Sequence, residues 1–280
     1  MSKDKILVLS DLQDFSQTVA EKSIKIAKTY GKRLEVLHVE DESFLKFFKA
    51  KTEDSLIKSK ELLKDMYKDE ADVFSKCGKF IETVKEHIEQ NNISTVIVGF
   101  RRERTFVEDL FNGSNLGSIV RKLDVPVIVI KTEDNPDYKD ILIPTDLSKS
   151  SKKNIENLVK LFPKANFYVE HYFRTLIEDK IKMYGYENKE VQEYISFFAN
   201  EAKDNLDKFM SELNIPSDIK VFKKVKNFLD ITRTVEESID SESIDLVSLC
   251  ISTNFSIFSF DLLESSKKDV IIYKILEKFE

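Results

Sequence analysis

The chain repeats itself, and that constrains its fold more than any other feature. Residues 5–12 read Lys-Ile-Leu-Val-Leu-Ser-Asp-Leu, and residues 140–147 read Asp-Ile-Leu-Ile-Pro-Thr-Asp-Leu. Each is an apolar strand ending in Ser/Thr-Asp-Leu, followed by a helix-like stretch, Phe15 to Tyr30 and Ser150 to Phe162. A second strand follows in both copies, Leu34–Val39 with His38 and Phe167–Tyr172 with His171. Further on, Ile93–Gly99 matches Ile244–Cys250, and Val125–Ile130 matches Asp269–Ile275. Matched elements in one order mark an internal duplication, so the fold must be one that a single unit can complete and then repeat.

Each copy reads as strands alternating with helices, beginning and ending on a strand. In the first copy the pattern predicts strands near 5–10, 33–39, 72–76, 95–99 and 126–130, and helices near 15–30, 54–69, 80–91 and 114–123. The strands are nearly continuous apolar runs, as expected where helices cover both faces of a parallel sheet. Alternation of the two element types implies right-handed crossovers. The expected class is therefore α/β, with two tandem doubly wound five-stranded parallel-sheet domains. Their expected bounds are 1–134 and 138–280, joined through Lys131–Lys139, whose Thr-Glu-Asp-Asn-Pro-Asp is polar and turn-forming. A length of 280 residues suits two such domains.

Composition narrows the function. A net charge of −6 argues against broad binding to nucleic acid or to an anionic membrane. Residues 1–134 hold 23 Lys and Arg against 24 Asp and Glu, and the remainder hold 21 against 26, so the first half better tolerates an anionic ligand. Two cysteines outside any CxxC motif fit a reducing compartment, and a cytoplasmic, soluble protein is expected. The first residues lack the apolar core of a signal peptide, and no apolar run is long enough for a membrane span. There is no GxxxxGK[ST] loop, no GxSxG elbow and no His/Cys spacing that suggests a metal, so no catalytic residue or metal ligand is nominated.

Ligands of open α/β sheets sit outside the carboxyl ends of the strands. That rim holds Asp11, Val39 and the loop after Gly99. Asp11 can accept from a ribose hydroxyl or an adenine amino group, or it can cap the following helix. The segment Gly99–Ser118 carries Arg101, Arg102 and Arg104, then Gly113-Ser114 opening a helix. Glycine permits close approach of a phosphate, helix N-terminal amides attract an anion, and arginines supply cations. The alternative is an ordinary turn with a serine cap and surface arginines. Of the six glycines only Gly185 lies in the second half. The corresponding second loop, 250–266, is apolar and glycine-free, and its Phe255, Phe258 and Phe260 suggest packing. Between strands two and three, Phe44, Phe47, Phe48, Leu56, Leu63 and Tyr67 in the first copy, and Tyr194, Phe197, Phe198 and Leu206 in the second, read as core-facing helices. A partner-binding or lid role is the alternative.

Taken in order, Ile6–Asp11, Leu37-His-Val39, Val96–Gly99, Gly113-Ser114, Val125–Val129 and Ile141–Ser148 resemble the universal stress protein family in its tandem two-domain form. The resemblance implies an adenine nucleotide alpha hydrolase-like fold. Nucleotide-binding members carry G-x2-G-x9-G-[ST]. Here Gly99 matches the first glycine and Gly113-Ser114 the last pair, while Arg102 replaces the middle glycine and the loop is one residue longer. By matched position Leu9, Asp11 and Val39 would face adenosine, and Gly99, Gly113 and Ser114, with Arg101 beside them, its phosphates. The resemblance thus implies a stress-response protein, regulatory or protective rather than enzymatic, binding ATP or a related adenine nucleotide at one site. It also implies pairing through the last strand, as an intramolecular pseudo-dimer or a homodimer, and leaves room for protein partners. The alternative is a nucleotide-free scaffold in which both sites have degenerated.

Overall fold

The structure is a computed structural model and describes residues 4–13, 15–40, 52–100, 116–134, 137–175, 188–251 and 257–275. Arg101, Gly113 and Ser114 lie outside the described residues, as do Phe44, Phe47, Phe48 and Phe255. The chain divides into two compact units. One comprises residues 1–137 together with 268–274, the other 138–267 with 275–280.

The first unit contains β1 (Lys5–Leu9), α1 (Ser16–Thr29), β2 (Arg33–Glu40), α2 (Thr52–Tyr67), β3 (Asp72–Cys77), α3 (Phe80–Asn91), β4 (Ile93–Gly99), α4 (Leu116–Lys122) and β5 (Val127–Ile130). Its strands lie in the order β3-β2-β1-β4-β5, all parallel. Leu7, Val8, Val36, Val96, Ile97 and Val129 are fully buried, because helices cover both faces and leave no polar alternation along the strands. The chain turns from α3 into β4 through Asn92 at φ 58, a left-handed position that asparagine tolerates better than most residues.

In the second unit come β6 (Asp140–Thr145), α5 (Lys149–Leu161), β7 (Asn166–Phe173), α6 (Asn188–Ser211), β8 (Val221–Asn227), α7 (Ile231–Ser241), β9 (Leu246–Ile251) and α8 (Ile257–Ser265). Here the order is β9-β6-β7-β8, with β6 parallel to both of its neighbours and β8 parallel to β7. The last strand, β10 (Asp269–Lys274), lies in the second copy by sequence but in the first unit by contacts, antiparallel to β5. The α/β class and the parallel doubly wound order follow the sequence expectation, and the first-copy strands and helices begin and end within about three residues of it.

The aromatic helices divide their faces. In α2, Leu63 and Tyr67 are buried while Ile57 and Leu62 are exposed. In α6, Val191, Ala202, Leu206 and Phe209 face inward, but Phe197 is 66% exposed and stands edge-on to Phe198.

Candidate functional site

The strand order changes direction between β1 and β4. The chain leaves β1 toward β2 on one side and returns to β4 on the other, a switch in strand order at whose carboxyl ends open α/β sheets place ligands. Asp11 follows β1 at this point and Gly99 ends β4. Leu9 and Val39, buried at 6% and 7%, close the carboxyl ends of β1 and β2. Four of the nominated residues, Leu9, Asp11, Val39 and Gly99, thus stand on one rim.

Asp11 is locked by local bonds. Its Oδ1 accepts the Gln13 N–H at 3.1 Å and the Ser16 hydroxyl at 2.8 Å. The turn is completed by Leu12 at φ 60, whose N–H reaches Ser10 Oγ at 3.3 Å. His38 Nδ1 donates to the Ser10 carbonyl at 2.8 Å, tying β2 to the turn, and its Nε2 lies 3.3 Å from Glu40 Oε1. The second copy builds the same turn. Asp146 Oδ1 accepts from Ser148 N–H at 3.0 Å and Ser151 Oγ at 2.6 Å, Leu147 has φ 61, and His171 Nδ1 donates to the Thr145 carbonyl at 3.0 Å. The duplicated Ser/Thr-Asp-Leu motif is therefore first of all a turn that starts a helix, and both histidines brace it. Among the described residues Asp11 Oδ2 takes no hydrogen bond.

The two aspartates differ in cost. Burial raises the Asp11 carboxyl above its ordinary value, and the bonds from Gln13 and Ser16 do not offset it. Burial raises Asp146 as well, but Ser148 and Ser151 outweigh it and hold that carboxyl below its ordinary value. Asp146 therefore contributes stability above the unfolded carboxylate range near pH 4, lost as pH falls through its lowered folded value. Asp146→Ala is expected to lose about 1 kcal/mol at neutral pH in urea unfolding, the ordinary net worth of the hydrogen bonds that its Oδ1 accepts. For Asp11 the sign reverses, because a raised folded value means that ionisation opposes folding. Asp11→Asn is expected to lose less than Asp146→Ala in the same measurement.

Gly99 has a structural reason to be glycine. A Cβ built there would lie 2.6 Å from Val19 Cγ2 and 3.1 Å from Phe15 Cδ1, so α1 packs directly on the end of β4. The next residue, Phe100, donates its N–H to the Ile130 carbonyl at 2.8 Å, which keeps the strand pair zipped to the rim.

Sequence reasoning did not find the buried carboxylates. Glu35, 1% exposed in β2, takes Lys5 Nζ on Oε1 at 2.5 Å and His87 Nε2 on Oε2 at 2.7 Å. Burial lowers the His87 value and outweighs the opposing pull of Glu35, with Lys76 and Lys5 pushing the same way as burial. Glu170, 0% exposed in β7, accepts from Tyr172 Oη at 2.5 Å and Ser238 Oγ at 2.7 Å, with Lys226 Nζ 3.5 Å from its other oxygen. A glutamate inside an apolar run, Leu34-Glu-Val-Leu or Tyr168-Val-Glu-His, was the available signal. Among the described residues no three His, Cys, Asp or Glu converge to hold a metal, and no helix is long and apolar enough to cross a membrane.

The sequence pattern of the universal stress protein family matches residues 3–131, which hold the whole rim. The N-terminal domain belongs to the universal stress protein family. Solved structures extend the likeness in fold to the whole chain. A universal stress protein from Archaeoglobus fulgidus superposes with a TM-score of 0.60 at 17% identity, covering 98% of this chain and 97% of its own. A functionally unknown protein from Pseudomonas aeruginosa superposes at 0.61 with 11% identity, covering 97% and 92%. Over the whole chain the likeness is one of fold. The chain matches no curated protein.

Proposed function

We propose that the N-terminal universal stress protein domain binds one adenine nucleotide, ATP or a close relative, in a regulatory or protective rather than catalytic role. The observation that carries the reading is the switch in strand order between β1 and β4, with the Asp11 carboxylate at the carboxyl end of β1. Oδ2 is the acceptor for a ribose hydroxyl or an adenine amino group. The phosphates would then fall to Gly113 and Ser114, which precede α4 in the sequence, with Arg101 as a cation. The two cysteines, neither in a disulfide, fit a cytoplasmic setting, and the charge of −6 gives no reason to invoke nucleic acid or an anionic membrane.

Equilibrium titration of the full chain with labelled ATP tests the reading. Saturable binding of one equivalent is expected. Gly113→Val should abolish it, and Asp11→Ala should weaken it by about tenfold or more, as loss of an acceptor held by a charged group implies. No saturable binding, or undiminished binding by Gly113→Val, sinks the proposal.

One observation favours a second reading, a nucleotide-free scaffold. The contacts of Val19 and Phe15 explain Gly99 without any ligand. In that case the exposed Phe197 of α6 is the natural contact for a protein partner. Stoichiometric nucleotide co-purifying with the protein counts decisively against it.

A further inference from the structure

Within the first unit a buried lysine joins α1 to the chain's last strand. Lys22, 2% exposed in the middle of α1, places its ammonium 2.5 Å from Asp269 Oδ2 and donates to the Thr132 carbonyl and to Thr132 Oγ1, each at 3.1 Å. Asp269, 1% exposed, opens β10. Its Oδ1 accepts the N–H groups of Lys131 at 2.8 Å and Thr132 at 3.1 Å, and the Thr132 hydroxyl at 3.3 Å. All three ammonium donors and both carboxylate oxygens are engaged. A lysine is almost never buried this deeply without such pairing.

The strand contact beside this network has little selectivity of its own. Val270 faces Val129, Ile271 faces Ile128 and Ile272 faces Val127. The β5 sequence, Val-Ile-Val-Ile, offers the same aliphatic chemistry to itself. A second β5 turned antiparallel about Ile128 would set Val127 on Val129 with equal hydrophobic fit, and an open edge strand invites that pairing. The network removes the ambiguity. Continuing the register, the residue a second β5 brings to the place of Asp269 is Pro126, which has no carboxylate. Lys22 would then be a buried charge without a counter-ion, and the Lys131 and Thr132 amides would lose their acceptor. The device is one-sided. Aligning α5 on α1 through Ser151 and Ser16, which bond the equivalent aspartates, puts an exposed Asn157 where Lys22 stands.

We propose that Lys22 and Asp269 make β5 a receptor for one strand, the chain's own residues 269–274, and bar it from pairing with β5 of a second copy. Native mass spectrometry of the full chain tests this. The wild type is expected to be a monomer. Lys22→Met should raise the dimeric fraction by about tenfold or more, since it removes the buried charge that a second β5 would leave unpaired and leaves Asp269 without its cation. The charge-exchanged Lys22→Asp/Asp269→Lys chain should return to monomer. Asp269→Asn keeps an oxygen for Lys131 and Thr132 and removes only the charge, so it serves where Lys22→Met does not fold. Hydrogen exchange of the Val127–Ile130 amides in that variant should be roughly tenfold faster than in the wild type, since the strand pair opens more often. A dimeric wild type overturns the proposal. So does a charge-exchanged chain that remains dimeric, or an Asp269→Asn chain with unchanged mass and unchanged exchange.

Discussion

Glu35→Leu is expected to remove about 3–5 kcal/mol of stability from the N-terminal domain, the usual cost of breaking a buried ion pair from one side. Glu35 accepts from Lys5 and His87 at once, and His87 is itself 1% exposed. Lys5, with 17% of its side chain exposed, can swing toward water, but His87 cannot. Its Nδ1 already has no hydrogen-bond partner among the described residues, so losing Glu35 leaves both ring nitrogens dry. That loss is a large fraction of the roughly 5–15 kcal/mol that holds a domain folded. Glu35→Leu/His87→Leu should recover much of it, because two apolar side chains leave nothing to desolvate. Urea unfolding of the three chains decides the matter. A single variant within about 1 kcal/mol of wild type would show that the carboxylate is solvated through another route.

The same site sets a pH dependence. The His87 value is lowered in the folded state, so the unfolded chain binds a proton that the folded chain refuses. Stability is therefore fully present above about pH 6.5 and falls as pH drops from there toward the lowered folded value. His87→Leu should flatten the stability profile in that window. An unchanged slope would assign the acid sensitivity to other groups.

Gly99→Ala is expected to lose about 1–3 kcal/mol through overpacking. The added methyl would come within 2.6 Å of Val19 Cγ2, and the neighbouring Phe15 ring at 3.1 Å leaves no room for a sideways shift. Val19→Ala should rescue it, since it deletes the methyl that is struck. The pair also separates packing from ligand chemistry. If Gly99 serves only the helix contact, Gly99→Ala/Val19→Ala should bind labelled ATP as the wild type does. If stability returns and binding does not, the missing hydrogen at Gly99 is needed by the nucleotide itself. Rescue of neither would refute the packing account.

Much of this was legible in the sequence. The strands and helices of the first copy could be read from runs of apolar residues because burial on two faces erases alternation, and that is a local signal. Asp11 could be placed at the carboxyl end of β1 because strand ends follow from the alternation of elements. Its engagement with Ser16 was open, because capping and ligand binding ask for the same residue. The sequence nominates Gly99 for the close approach it allows a phosphate, yet a side chain on α1 by itself requires glycine there, which spacing along the chain does not reveal. Glu35 and Glu170 passed unnoticed, since a charge in an apolar run has meaning only when its partner is known, and His87 lies 52 residues from Glu35.

The sequence by itself determined the duplication, the α/β class and the family of the first domain, because hydrophobic periodicity and short motifs are properties of neighbouring residues. Tertiary structure alone decided which strand completes the first sheet. The aliphatic pairing of β5 with β10 is degenerate, so the choice passes to a lysine and an aspartate from opposite ends of the chain, and a buried charge accepts no partner but its counter-ion.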